Sequence, residues 1–262
     1  MSEAKYVSTT HNSKAVRYIE ADLDAIKVES ISGKSVEESG KYGINGTFFS
    51  GTTLTGIAVN RMANGLSAKV ANNGDTTTGV TYEGSVYSSQ RGTMYYFDPA
   101  AGIHFFDTKP VKSYLDYPNS STSNVVWAIG GYSLHPTKAY SSSDDYYNDI
   151  NGSGAVDKKP TANSENAYRF SPKSATARTA IGYRYINQKR KIILAVFDNQ
   201  TAWAVREFMA GLGCTFAIML DGGGSSQIRY KSGGSNGFWC PKPDTTMRKV
   251  HSMVTVNATT WL

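Results

Sequence analysis

Two apolar runs of strand length, Lys191–Phe197 and Thr215–Leu220, flank one amphipathic segment, and each run ends on an aspartate. Uninterrupted apolar and β-branched residues of this length mark strands buried on both faces. Between them Val205, Phe208, Met209 and Leu212 recur at helical spacing, and Gly211 and Gly213 close the helix. Strand, helix and strand in that order predict two parallel strands joined by a right-handed crossover. Asp198 and Asp221 then emerge at the carboxyl edge of the sheet, where open α/β sheets bind ligands. Neighbouring strands would set their α-carbons about 5 Å apart, and one intervening strand about 10 Å apart.

The second run continues as Ile218-Met-Leu-Asp221-Gly222-Gly223-Gly224-Ser225-Ser226. A carboxylate at the end of a buried strand is costly unless something pairs with it. The glycines open the backbone to close approach, and the two serines add short donors suited to phosphate or sugar oxygens. A plain structural turn is the competing reading. Upstream, Ala177-Arg178-Thr179-Ala180-Ile181-Gly182 enters a strand over Ile181–Ile186, which the Asn187–Arg190 turn joins to Lys191–Phe197 as a hairpin. Arg178 is flanked by small residues, so its fork can reach a carboxylate or phosphate in bidentate fashion. Ligand contact and a structural ion pair with Asp198 or Asp221 both fit it.

These blocks together resemble the phosphodiester glycosidase family. The resemblance is carried by Ala177–Gly182, the strand to Phe197-Asp198, the helix containing Glu207-Phe-Met-Ala210, and Leu220–Ser226. Ile44-Asn45-Gly46-Thr47-Phe48-Phe49, Ala128-Ile-Gly130-Gly131-Tyr-Ser-Leu134 and the closing Arg248–Val256 segment are similar to further blocks of that family. The match is densest over residues 175–230, and the sequence departs freely over 75–124 and 137–174.

The resemblance implies a hydrolase that cleaves the glycosidic C–O bond of a sugar-1-phosphate diester such as an N-acetylglucosamine conjugate. It also implies kinship with bacterial and phage members connected with exopolysaccharide. Asp221 is then the first candidate for the carboxylate facing the anomeric centre, with Asp198 its partner or orienter, the choice of base between them being open, and Arg178 is the phosphate clamp. Gly222, Gly223, Gly224, Ser225 and Ser226 would cradle phosphate oxygens, Asn45 would fix a sugar hydroxyl, and Arg248 would be a second clamp. Gly46, Gly130, Gly131 and Thr179 are expected to line the substrate. The scheme requires no cofactor. Alternatives with the same anion pocket are a phosphodiesterase acting at P–O on a nucleotide sugar, cyclic nucleotide or ribose-phosphate signal, and a non-catalytic binder of such a ligand.

Short strands are also predicted over Ala15–Ile19, Ala25–Val28, Lys41–Phe48, Gly56–Asn60, Thr93–Phe97, Gly102–Phe106 and Val125–Ile129, with a short helix at Val36–Ser39. No linker or repeat divides the 262 residues. The expectation is a single α+β domain spanning 1–262, a mixed sheet flanked by helices with a C-terminal β-α-β unit. Within the polar excursion, Asp149, Asn151, Ser153 and Asp157 with Gly154 have the spacing of a calcium loop, but Pro160 stands where a bidentate glutamate belongs. The net charge of +6 is dispersed and no nucleic-acid motif occurs, which argues against a duplex partner and for a small molecule or glycan carrying a phosphodiester. No run is long enough to span a bilayer. The opening Met1–Thr10 has no apolar leader core, which leaves the location open between staying where the chain is made and leaving by another route, with cytoplasmic or phage-associated expected ahead of leader-directed export. Cys214 and Cys240 give no disulfide framework and no metal-ligand spacing.

Overall fold

The computed structural model describes residues 1–70, 80–82, 85–87, 91–100, 103–111, 124–151, 172–242 and 246–262. Its centre is the hairpin of Thr176–Ile186 and Lys189–Gln200, turned by Asn187 and Gln188 in the left-handed region. Lys14–Asp22 and Glu3–His11 add antiparallel strands on one side. On the other side come Phe216–Met219, Val125–Ser133, Arg91–Ala100 and Ile103–Val111, in that order. Among the described residues this sheet has eleven strands. A second sheet runs Ser235–Trp239, Ile228–Ser232, Gly43–Asn45, Val250–Val256, Ile26–Lys34.

The continuous apolar run at Ile192–Phe197 follows from this arrangement. Leu194 and Val196, with Ile19, Ile181, Ile218 and Leu220, face Ile44, Ile228, Val254 and Val256 of the second sheet. Ile193, Ala195 and Phe197, with Ala180 and Met219, face Val205 and Met209 of helix Ala202–Gly211. Both faces are therefore covered, one by strands and one by a helix. Thr201 caps that helix, its hydroxyl accepting from the Ala204 N–H at 3.2 Å.

The expected α+β class is corrected here. The fold is β-rich, and among the described residues its α-helices are Ser143–Asn151 and Ala202–Gly211. The sheet is not flanked by helices on both sides, because the second sheet covers one face. Lys189–Gln200 and Phe216–Met219 do run in the same direction, but Thr176–Ile186 lies between them and is antiparallel to each. Buried runs of this kind look the same whether a sheet or a helix lies above them, and that ambiguity misled the class. Val36–Ser39 is a single turn rather than a helix, closed by reciprocal bonds between Ser35 and Glu38. Both cysteines are free thiols, and burial pushes the Cys214 thiol up to about 12. No helix among the described residues is long and apolar enough to cross a membrane.

Candidate active site

The site forms where the two aspartate-terminated strands leave the large sheet. Phe197 pairs with Arg178, and the Leu220 N–H donates to the Thr179 carbonyl at 2.9 Å. Asp198 and Asp221 therefore stand on either side of the start of the Thr176–Ile186 strand, with α-carbons about 10 Å apart by strand spacing. Both are half-buried.

Asp221 is the more perturbed residue. Its surroundings disfavour charge and push its carboxyl up to about 6, while Ser225, the Arg248 guanidinium and the Gly222 N–H pull in the other direction. The Gly222 N–H donates to Asp221 Oδ1 at 3.0 Å. The buried Ser225 Oγ stands beside the carboxylate and favours its charged form, but makes no hydrogen bond of normal geometry. Gly223–Ser225 form one 3-10 turn, entered through Gly223 at φ +61°, which glycine adopts without strain. The Ser225 and Ser226 N–H groups close that turn on the Gly222 and Gly223 carbonyls. The amides of Gly223 and Gly224 stand at its open start, the orphan donors of any helical turn.

Asn45 sits beneath this loop, and its role differs from the one expected. It is fully buried, so it cannot reach a sugar hydroxyl. Its Nδ2–H donates to the Asp221 carbonyl at 2.8 Å, and its Oδ1 accepts from the Gln227 N–H at 3.1 Å. Thr179 Oγ1 lies 2.9 Å from Asn45 Oδ1 and 3.1 Å from Ser226 Oγ, so its single proton serves one of the two. Thr179 and Ser226 are buried in the same network and do not line an open surface.

Gly46, Gly130 and Gly131 are likewise packing positions. A Cβ on Gly46 would come within 2.3 Å of Ser252 Oγ, on Gly130 within 2.8 Å of the Ile57 nitrogen, and on Gly131 within 2.1 Å of the Met219 oxygen. Gly46 also accepts from the Asp221 N–H at 3.3 Å, so it helps fix the loop from below.

The two arginines exchange weight. Arg178 is buried, and its guanidinium donates to the Ser174 carbonyl at 2.6 Å and the Gln200 carbonyl at 3.2 Å. Burial lowers its pKa to about 10. The cation acting on Asp221 is Arg248, which is exposed and stands 5.5 Å from the Phe49 ring.

Gln227 was not anticipated. It is fully buried, donates to the Arg248 carbonyl at 2.9 Å, and accepts from the Val36 N–H at 2.9 Å. It ties the Arg248 segment to the serine turn, and its place directly after Ser226 was the one signal available. Phe48 meets Tyr132 edge-on at 5.3 Å, and Phe49 meets His251 at 4.9 Å.

Asp149 of the calcium-loop candidate lies in helix Ser143–Asn151, with one oxygen accepting from Tyr140 and the other 2.9 Å from Lys138 Nζ. Ser153 and Asp157, and the side chain of Asn151, lie outside the described residues. Among the described residues no group of three His, Cys, Asp or Glu side chains could hold a metal ion.

A family model described as phosphodiester glycosidase matches residues 39–257. No curated protein sequence matches the chain. The catalytic domain of zebrafish N-acetylglucosamine-1-phosphodiester α-N-acetylglucosaminidase, auto-inhibited by its pro-peptide, is similar in structure. Its TM-score is 0.57 at 18% identity, over 98% of this chain and 83% of that one. A putative exported protein from Burkholderia pseudomallei is similar with a TM-score of 0.53 at 12% identity, over 93% of this chain and 74% of that one. At such identities these two likenesses show the fold alone.

Proposed function

This chain belongs to the phosphodiester glycosidase family, and from that membership we propose that it hydrolyses the glycosidic C–O bond of a sugar-1-phosphate diester, releasing the sugar and a phosphomonoester. The observation that carries the proposal is the half-buried Asp221, its carboxyl raised to about 6 beside the exposed Arg248 cation and the Ser225 hydroxyl. A carboxylate of that pKa is ionised at neutral pH yet basic enough to take a proton from water. Placed against the anomeric carbon, its charge also stabilises the oxocarbenium-like transition state.

The leaving phosphomonoester is a weakly basic anion, so its departure asks less of an acid than an alkoxide would. Arg248 supplies a fork for the phosphate, with the amides of Gly223 and Gly224 on its remaining oxygens, while the buried Ser225 hydroxyl favours the charged form of Asp221. Asp198 is the second carboxylate, positioned by its strand across the opening to orient water or a sugar hydroxyl. Asn45, Thr179, Ser226, Gln227 and Arg178 act as positioning residues that hold the Asp221 loop and its flanking strand.

Incubation with a panel of sugar-1-phosphate diesters, followed by phosphorus and proton NMR, tests this. Free sugar together with a phosphomonoester on the former aglycone is expected. Phosphate left on the sugar would mean P–O cleavage and a phosphodiesterase. Stoichiometric capture without product would mean a binder.

A further inference from the structure

Arg17 projects from Lys14–Asp22 into the opening between the two sheets. Its guanidinium lies 4.6 Å from the Trp239 ring centre, and its Nε is buried with no hydrogen-bond partner. Among the described ion pairs no carboxylate neutralises it. Beside it Tyr6 and Tyr230 stack with ring centres 3.6 Å apart and planes 4° from parallel. Gly237 makes room for that pair, since a Cβ there would come within 2.3 Å of the Tyr230 ring. Tyr6, Arg17, Tyr230 and Trp239 are all half-buried, so the cluster is reachable from solvent.

Strand register places the cluster next to the site. Arg17 pairs with Val196, and Val196 pairs with Thr179. The three form one row across three strands, which sets Arg17 about 10 Å from Thr179. Thr179 bonds to Ser226 of the Asp221 turn, and Asp198 lies two residues beyond Val196 on the same face. Thr179 and Val196 are buried, but Asp198 and Arg17 are half-buried and stand one strand apart, so a chain extending past Asp198 comes to Arg17.

We infer that Arg17, backed by Trp239 and flanked by Tyr6 and Tyr230, forms a second anion subsite that takes the neighbouring phosphate of a glycan whose repeats are joined by phosphodiesters. The inference rests on the glycosidase reading of the Asp221 site and narrows its substrate from a small diester to a repeating one. Arg17 Nε is buried, and the two Nη groups of a guanidinium can still meet phosphate oxygens in bidentate fashion. The indole face adds cation–π stabilisation that holds the fork in place before ligand arrives. The stacked Tyr6 and Tyr230 rings form a rigid apolar wall beside the cation, whose edge a sugar ring can pack against.

Calorimetric titration of the full chain carrying Asp221→Asn, which blocks turnover, distinguishes the possibilities. The probes are the methyl phosphodiester of N-acetylglucosamine-1-phosphate and a synthetic trimer of the same sugar joined through phosphodiesters. The trimer should bind about tenfold or more tighter, because the second contact is intramolecular. Arg17→Gln should collapse that ratio toward one, and Arg17→Lys should recover only part of it. If either variant does not melt cooperatively, Trp239→Phe in the same titration supplies the test, with a reduced ratio expected. Equal affinities for the two probes, or a ratio that survives Arg17→Gln, would overturn the subsite while leaving the Asp221 reading in place. Binding of neither probe would overturn both. An oligonucleotide of matched phosphate count that competes as well as the trimer would overturn the glycan assignment.

Discussion

Replacing Asp221 by asparagine is expected to abolish turnover and to make the folded protein more stable. Burial raises the carboxyl from 3.8 to about 6. Between those values the folded chain holds a proton that the unfolded chain has released, so this group's contribution to stability falls as pH rises through the window. Above it the folded protein carries the full penalty of a charged, poorly solvated carboxylate, roughly 3 kcal/mol at 1.36 kcal/mol per pH unit. Asparagine cannot ionise, and its Oδ1 can still accept from the Gly222 N–H, which now bonds at 3.0 Å. Urea unfolding from pH 4 to pH 8 should show Asp221→Asn gaining about 2–3 kcal/mol at pH 8 and little at pH 4. A thermal melt at pH 8 should move up by roughly 5–10 °C. Equal stability at pH 8, or a gain independent of pH, would refute the claim that the fold holds this carboxylate against its preference.

Arg248→Gln removes a cation that favours the charged form of Asp221. The acid limb of the pH–rate profile should therefore move to higher pH, and an unmoved limb would separate the two residues. Asn45→Ala orphans the Asp221 carbonyl and the Gln227 N–H. A loss of about 4 kcal/mol in denaturant unfolding is expected, with kcat falling more than KM rises, whereas a rise in KM at unchanged stability would restore Asn45 as a sugar contact. Arg178→Lys gives up the fork that bonds the Ser174 and Gln200 carbonyls in a buried setting. It should cost about 1–3 kcal/mol, and unchanged unfolding would mean that the fork is not structural.

The paired aspartate-ended strands, the helix between them and the preceding hairpin were legible because each is written in consecutive residues. The apolar run to Phe197 and the spacing of Val205 and Met209 needed no distant partner to be read. The covering sheet was not legible in the same way. Gly43–Asn45 is only three residues long, and its neighbours Ile228–Ser232 and Val250–Val256 come from the far end of the chain. Asn45 shows the same limit at the site. A buried amide and one facing a ligand are identical in sequence, and only contacts 134 and 176 positions away, to Thr179 and Asp221, reveal which it is. Arg178 and Arg248 were both named as cations, but their order was set by burial. Gly130 and Gly131 looked like a binding block because close sheet packing and ligand approach both demand the absence of a side chain.

Hydrolysis of a sugar-1-phosphate diester in oxygen-18 water, with mass spectrometry of both products, shows which bond breaks and whether Asp221 breaks it. Label is expected on the anomeric oxygen of the released sugar and not in the phosphomonoester, with no turnover by Asp221→Asn. Label in the phosphate would place cleavage at P–O, and wild-type rates in Asp221→Asn would remove that carboxylate from the chemistry.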